Sequence, residues 1–164
     1  NYVIFSRVRE FLPQELCGER LVGLNRRWRL YRYAEGNLYR KHLDGAWPAS
    51  GVREGPRGSL EYLYDAHGGC RSRLTFIVYL NDDFDGGNTT FFVPRLSVEG
   101  ELEARPVRPR AGCVTVFPHG DAGVPLLHEG SSVARGQKYI LRTDVLYEAA
   151  VPPEEARRAA RLRG

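Results

Sequence analysis

The stretch RLTFIVYLNDDFDGGNTTFFV, Arg73 to Val93, sets two short apolar runs on either side of a cluster of Asp, Gly and Asn. RLTFIVYLN and TTFFV are rich in β-branched and aromatic side chains, which suit a pleated backbone, while DDFDGGN supplies turn chemistry. The pattern repeats outward in both directions. WRLYRY precedes it, GCVTVF and KYILRTDVLY follow it, and PRAG makes a further break. Many short strands separated by turn signals predict a mainly β fold of the sandwich or barrel kind. One short N-terminal helix is expected in LPQELCGERLVGL, where Leu12, Leu16 and Val22 fall at roughly helical spacing and Pro13 suits a first turn.

The chain has 164 residues, the size of one domain, read as 1–164 with a β core over about 28–148 and a short basic tail at 152–164. PPEEARRAARLRG in that tail can form a short exposed helix after its proline pair. Hydrophobic residues make up 42% and charged residues 27%, and no apolar run approaches the roughly 20 residues of a membrane-spanning helix, so a membrane is not an expected partner. The net charge of +4 is small and sits partly in the tail, which argues against nucleic acid as the main partner. Cys17, Cys70 and Cys113 are far apart and odd in number, so neither a disulfide framework nor a zinc knuckle is indicated. Unpaired thiols and the absence of a basic-then-apolar leader in NYVIFSRVREF favour a cytoplasmic or nuclear monomer. With no methionine in the chain, residues before Asn1 are expected in the native protein.

YRYAEGNLYRKHLDG, Tyr31 to Gly45, carries His42 and Asp44 two residues apart. Extended backbone returns side chains to one face every second residue, so the pair can aim at one point. A pair needs a third partner, and three other histidines exist. His67 lies in DAHGGC, a solvated turn; His119 in FPHGD ends a strand; His128 in LLHEG has two leucines burying its approach. His128 is preferred, with His119 as the alternative. Two imidazoles and one carboxylate form the facial triad of non-haem Fe(II) oxygenases, which leaves positions open on the metal. Gly45 to Gly58, rich in Gly and Pro, follows directly and reads as a mobile loop over the site, with Trp47 as a contact.

From about Tyr31 to Tyr147 these residues resemble the Fe(II)/2-oxoglutarate dioxygenases, and within them the prolyl 4-hydroxylase-like catalytic domain. The resemblance rests on Tyr33, Gly36, Tyr39, His42 and Asp44 as Y-x-x-G-x-x-Y-x-x-H-x-D, on RLTFIVYLND, on GGNTTFF and on HEGSSVARGQKYILRTDVLY. It implies a double-stranded β-helix, a jelly-roll-like pair of sheets with the metal at one open end. It also implies Fe(II), 2-oxoglutarate and O2 as cofactor and cosubstrates, with ascorbate an optional accessory. Lys138, ten residues after His128, stands where the family binds the far carboxylate of 2-oxoglutarate. Thr75, Ile77 and Tyr79 share a strand face, and the family pattern turns Thr75, Tyr79 and Tyr33 toward that cosubstrate. Tyr39, Trp47 and Arg142 fall with the substrate or lid. Asn88 departs from a common glutamate, and Arg142 stands where smaller or aromatic residues are frequent, so it either adds a second positive charge to the pocket or bridges to Asp144 or Glu148.

The implied activity is hydroxylation of an unactivated C–H bond, with a peptidyl proline as the family-level substrate, a peptide or small molecule as partner, and succinate and carbon dioxide as co-products. Two rivals carry different expectations. The basic run NRRWRLYRY, with Arg26, Arg27, Arg29 and Arg32, would suit an AlkB-type nucleic-acid demethylase. A non-catalytic β-helix binding module would keep the barrel without turnover.

Overall fold

The computed structural model describes residues 1–120, 122–123 and 126–149. Helix α1 (Tyr2–Val8) runs into a single 3-10 turn (Arg9–Phe11). Then come β1 (Glu15–Leu16), β2 (Glu19–Leu24), β3 (Arg29–Tyr33), β4 (Tyr39–His42), β5 (Gly51–Glu54), β6 (Leu60–Leu63) and β7 (Cys70–Tyr79). The second half holds β8 (Asp85–Gly86), β9 (Thr89–Pro94), β10 (Leu102–Val107), β11 (Val114–Pro118), β12 (Leu127–Gly130), β13 (Val133–Arg135) and β14 (Lys138–Ala149).

Strand β14 is the spine of a six-stranded sheet. Its first half pairs with β3 and its second half with β2 along one edge, while β7 takes the other edge and β11 lies beyond β7. A four-stranded sheet runs in the order β10-β9-β12-β4, and β5–β6 and β8–β13 form two small ribbons. Strand β7 explains why the layers stack. Its Leu74 and Phe76 point to one face, where they meet Leu12, Leu24, Val145 and Tyr147. Its Ile77 and Tyr79 point to the other, where they meet Phe117, Ile140 and, from the four-stranded sheet, Phe91. With both faces covered, the strand reads as an almost continuous apolar run. Ile4, Phe5 and Val8 of α1 cover the first face, and Phe91 meets Phe117 edge-on at 5.0 Å across the layers. The result is mainly β and jelly-roll-like, as expected.

The helix, however, lies earlier than expected. LPQELCGERLVGL is a hairpin: Glu15 pairs with Arg20 and Leu16 with Glu19 across Cys17 and Gly18. Both turn residues have positive φ, 54° and 75°, as a two-residue turn matched to strand twist requires. Arg20 and Val22 face solvent while Glu19, Leu21 and Gly23 are half-buried, which is strand alternation rather than a helical stripe. The helix forms instead in YVIFSRV.

Gly45 to Gly58 is also more ordered than a loop. Pro48, Ala49 and Ser50 are buried, and Gly51–Glu54 forms a strand of the β5–β6 ribbon. The three cysteines are free. No helix among the described residues is long and apolar enough to cross a membrane. The tail at 152–164, with the helix expected there, lies outside the described residues.

Candidate metal centre

His42 ends β4 and His128 sits directly opposite it on β12, so the antiparallel register alone brings the two imidazoles together, 4.2 Å between ring centroids. Asp44 follows two residues after His42 and completes a group whose ligating atoms all lie within 4.8 Å of one another. Both rings are oriented by the same device. His42 Nδ1 donates to the Arg40 carbonyl and His128 Nδ1 to the Leu126 carbonyl, each at 2.8 Å. A carbonyl can only accept, so Nδ1 carries a proton in both rings, and a ring in its neutral form then presents its Nε2 lone pair. Burial disfavours the charged form of His128 and lowers its pKa.

The two Nε2 atoms face Asp44, at 3.3 Å from Oδ1 for His42 and 3.5 Å from Oδ2 for His128. Nε2 of His42 is buried without a hydrogen-bond partner. With both rings neutral, three electron-pair donors converge on one point. Such a set fits a divalent cation, and two imidazoles with one carboxylate suit iron in particular. Sequence reasoning proposed these three residues, and the structure assembles them.

Asp44 is held on both oxygens. Arg142 Nη2 donates to Oδ1 at 2.6 Å and the Thr75 hydroxyl donates to Oδ2 at 2.7 Å. Burial alone would raise the Asp44 carboxyl, but the Arg142 guanidinium and the Thr75 hydrogen bond outweigh it and hold the pKa below its ordinary value. Of the two expectations for Arg142, the structural bridge is therefore corrected, because Asp144 is taken by Arg29 at 3.2 Å. Arg142 lines the pocket instead. His119, the alternative ligand, is outside the triad and has both ring nitrogens taken, by Ser72 and Thr75 at 2.8 Å each.

Lys138 lies on the same face of β14 as Ile140 and Arg142, and all three line one pocket with the histidines. It is only 3% exposed. Its Nζ donates to the Gly87 carbonyl at 2.6 Å and sits 5.5 Å from the Tyr33 ring and 5.6 Å from the Tyr79 ring. Burial pulls its pKa down to about 8. Tyr33 stands opposite Lys138 in the β3–β14 register and lines the pocket, and Tyr39 meets His42 edge-on at 4.4 Å.

Three other expected members have partners within the protein. The Thr75 hydroxyl donates to Asp44 and is bonded to His119. The Tyr79 hydroxyl is bonded to Thr89 at 2.8 Å and to Thr115 at 3.0 Å. Alternation placed both on the inner face correctly, but their partners come from neighbouring strands. Trp47 is packed under the Arg27 guanidinium at 3.8 Å and beside Tyr64, outside the pocket. Thr89 and Tyr31 line the pocket and were not anticipated. Tyr31 could have been found from its parity with Tyr33, whereas Thr89 belongs to the facing sheet.

Residues 28–143 match the family model described as the 2OG-Fe(II) oxygenase superfamily. Among solved structures the chain is similar to a prolyl-4-hydroxylase from Pseudomonas putida, with 22% identity and a TM-score of 0.53 over 90% of this chain and 64% of that one. It is also similar to a viral collagen prolyl hydroxylase from Paramecium bursaria Chlorella virus-1 in a 2OG complex, with 19% identity and a TM-score of 0.48 over 88% and 70% of the two chains. The chain thus spans 64% of the length of the Pseudomonas protein. No curated protein matches it.

Proposed function

The chain belongs to the 2OG-Fe(II) oxygenase superfamily, and on that footing we propose that it is a 2-oxoglutarate-dependent dioxygenase that hydroxylates an unactivated C–H bond, with a peptidyl proline as its substrate. The observation that carries this reading is the pairing of a three-donor metal set with a buried lysine that lines the same pocket as its two histidines. The prolyl assignment is supported only by the likeness of fold to the Pseudomonas prolyl-4-hydroxylase.

His42, Asp44 and His128 would hold the iron. The chemistry supplied by Fe(II) when bound is reduction of O2 coupled to decarboxylation of 2-oxoglutarate, giving succinate, carbon dioxide and a hydroxylated substrate. The protein's own part is placement. Lys138 has three N–H donors and gives one to Gly87, so two remain for the far carboxylate of the keto acid. Burial raises Tyr33 to about 12, so its hydroxyl stays protonated and can donate beside Lys138. Ile77 and Ile140 supply apolar wall that keeps water from the reacting centre.

The nucleic-acid reading loses support because two arginines of the basic run are engaged internally, Arg27 on Trp47 and Arg29 on Asp144. The test is succinate formation from 2-oxoglutarate that requires Fe(II) and O2. With a proline-containing peptide library, mass spectrometry should show a gain of one oxygen. Succinate without any peptide oxidation would redirect the substrate, and no succinate at all would leave a binding module.

A further inference from the structure

His119 is 1% exposed, and the metal centre does not use it as a ligand. Its hydrogen bonds admit one arrangement of protons. Asp44 Oδ2 can only accept, so the Thr75 hydroxyl points its single proton there. Thr75 must then accept from His119, which puts the ring proton on Nδ1. Burial depresses the His119 pKa to about 4, so the ring is neutral and Nε2 is an acceptor. The Ser72 hydroxyl accordingly donates to Nε2, while its oxygen accepts the Trp47 backbone N–H at 2.8 Å. The circuit leaves the segment after β4 at Trp47 and returns to it at Asp44, passing through β7 and the residue that follows β11.

We propose that His119 is a positioning residue of the metal centre: its Nδ1–H occupies the Thr75 oxygen, directs the Thr75 hydroxyl onto Asp44 Oδ2, and so fixes the carboxylate toward His42 and His128. Without it, the hydroxyl is free to rotate and the carboxylate loses one of its two restraints. This rests on the reading that His42, Asp44 and His128 hold a divalent metal. Thr75 is one hydrogen bond from the ligand and His119 acts through it; a partner bonded to a ligand typically changes metal affinity by roughly 10- to 100-fold.

The test is Mn(II) affinity, from the EPR signal of the free ion, in wild type, His119→Asn, His119→Gln and Thr75→Val. An Asn amide sits near the Nδ1 position and keeps a donor for Thr75; a Gln amide sits near Nε2 and keeps only the Ser72 contact. His119→Gln should weaken Mn(II) by roughly 10- to 100-fold while His119→Asn stays near wild type. Thr75→Val should weaken it as much as His119→Gln does, and adding His119→Gln to Thr75→Val should have no further effect. Equal losses in the Asn and Gln variants, or additive losses in the double variant, would show that His119 only fills space and overturn the proposal. Absence of Mn(II) binding in wild type would instead defeat the metal reading itself.

Discussion

A buried lysine whose bonded protein partner is a carbonyl is an electrostatic debt that an incoming carboxylate settles, and Lys138 is in that position. Lys138→Ala is expected to raise the apparent constant for 2-oxoglutarate by about one to two orders of magnitude, the equivalent of about 1.5 to 3 kcal/mol for a charged hydrogen bond, with Mn(II) affinity nearly unchanged. Because the ammonium form binds the carboxylate and its pKa is lowered to about 8, affinity for 2-oxoglutarate should fall as pH rises through about 8. The limb should appear in kcat/KM for 2-oxoglutarate rather than in kcat, since bound carboxylate restores the charge. Lys138→Arg should remove it. Stability has the opposite sign: between about 8 and the ordinary 10.5 the unfolded chain binds more protons, so the fold gains stability with rising pH there, and Lys138→Met should lose that slope. Lys138 was legible through the family resemblance, by its distance from His128, and Arg142 as one of two alternatives, because four residues further along the strand it returns to the face of Lys138. The partners of Thr75 and Tyr79 were not, because they depend on which strand lies alongside, and no local pattern records that.

Strands β2 and β7 show the same divide among elements. Strand β7 was readable because both its faces are buried, and Phe76, at 0% exposure, belongs to the core cluster that α1 covers. Phe76→Ala should therefore destabilise the protein by about 3 to 5 kcal/mol in denaturant unfolding, without moving Mn(II) affinity in the folded state. The β1–β2 hairpin was misread because Leu12 and Leu16 mimic one helical turn, while the deciding feature is left-handed backbone at Cys17, a residue type that gives no warning of it. For the segment after Asp44, glycine and proline content suggested freedom that hydrogen bonds remove. Ser72 N–H donates to the Trp47 carbonyl and Ala49 N–H to the Cys70 carbonyl, at 2.8 and 3.3 Å, so the segment is tied to β7 at two points. Beyond it, Arg53 is paired with Glu61, whereas Arg57 stands at the ribbon tip with φ of 61°. Trypsin should cut after Arg57 well before Arg53, at the same rate with and without Mn(II), 2-oxoglutarate and peptide; strong protection by the filled site would restore the lid.

On the scale of the whole molecule, the centre belongs to both layers. His42 and His128 stand on the four-stranded sheet, while Asp44 is gripped by Thr75 of β7 and Arg142 of β14 in the six-stranded one. A ligand that binds only the folded state at 100 times its dissociation constant adds about 2.7 kcal/mol, which for a chain of this size is a rise in Tm of about 5 to 10 °C. Mn(II) should produce that rise in wild type, and Asp44→Ala should abolish it. A mainly β fold was visible in the strand pattern and the jelly-roll class in the family resemblance, but the meeting of the layers at Asp44 was not, since it depends on contacts between Asp44 and residues 31 and 98 positions away. A cation at this place acts as a rivet through two plates. Amide hydrogens of β4 and β12 should then exchange with solvent in step with those of β7 and β14 when the rivet is in, and well ahead of them once one of its three holders is removed.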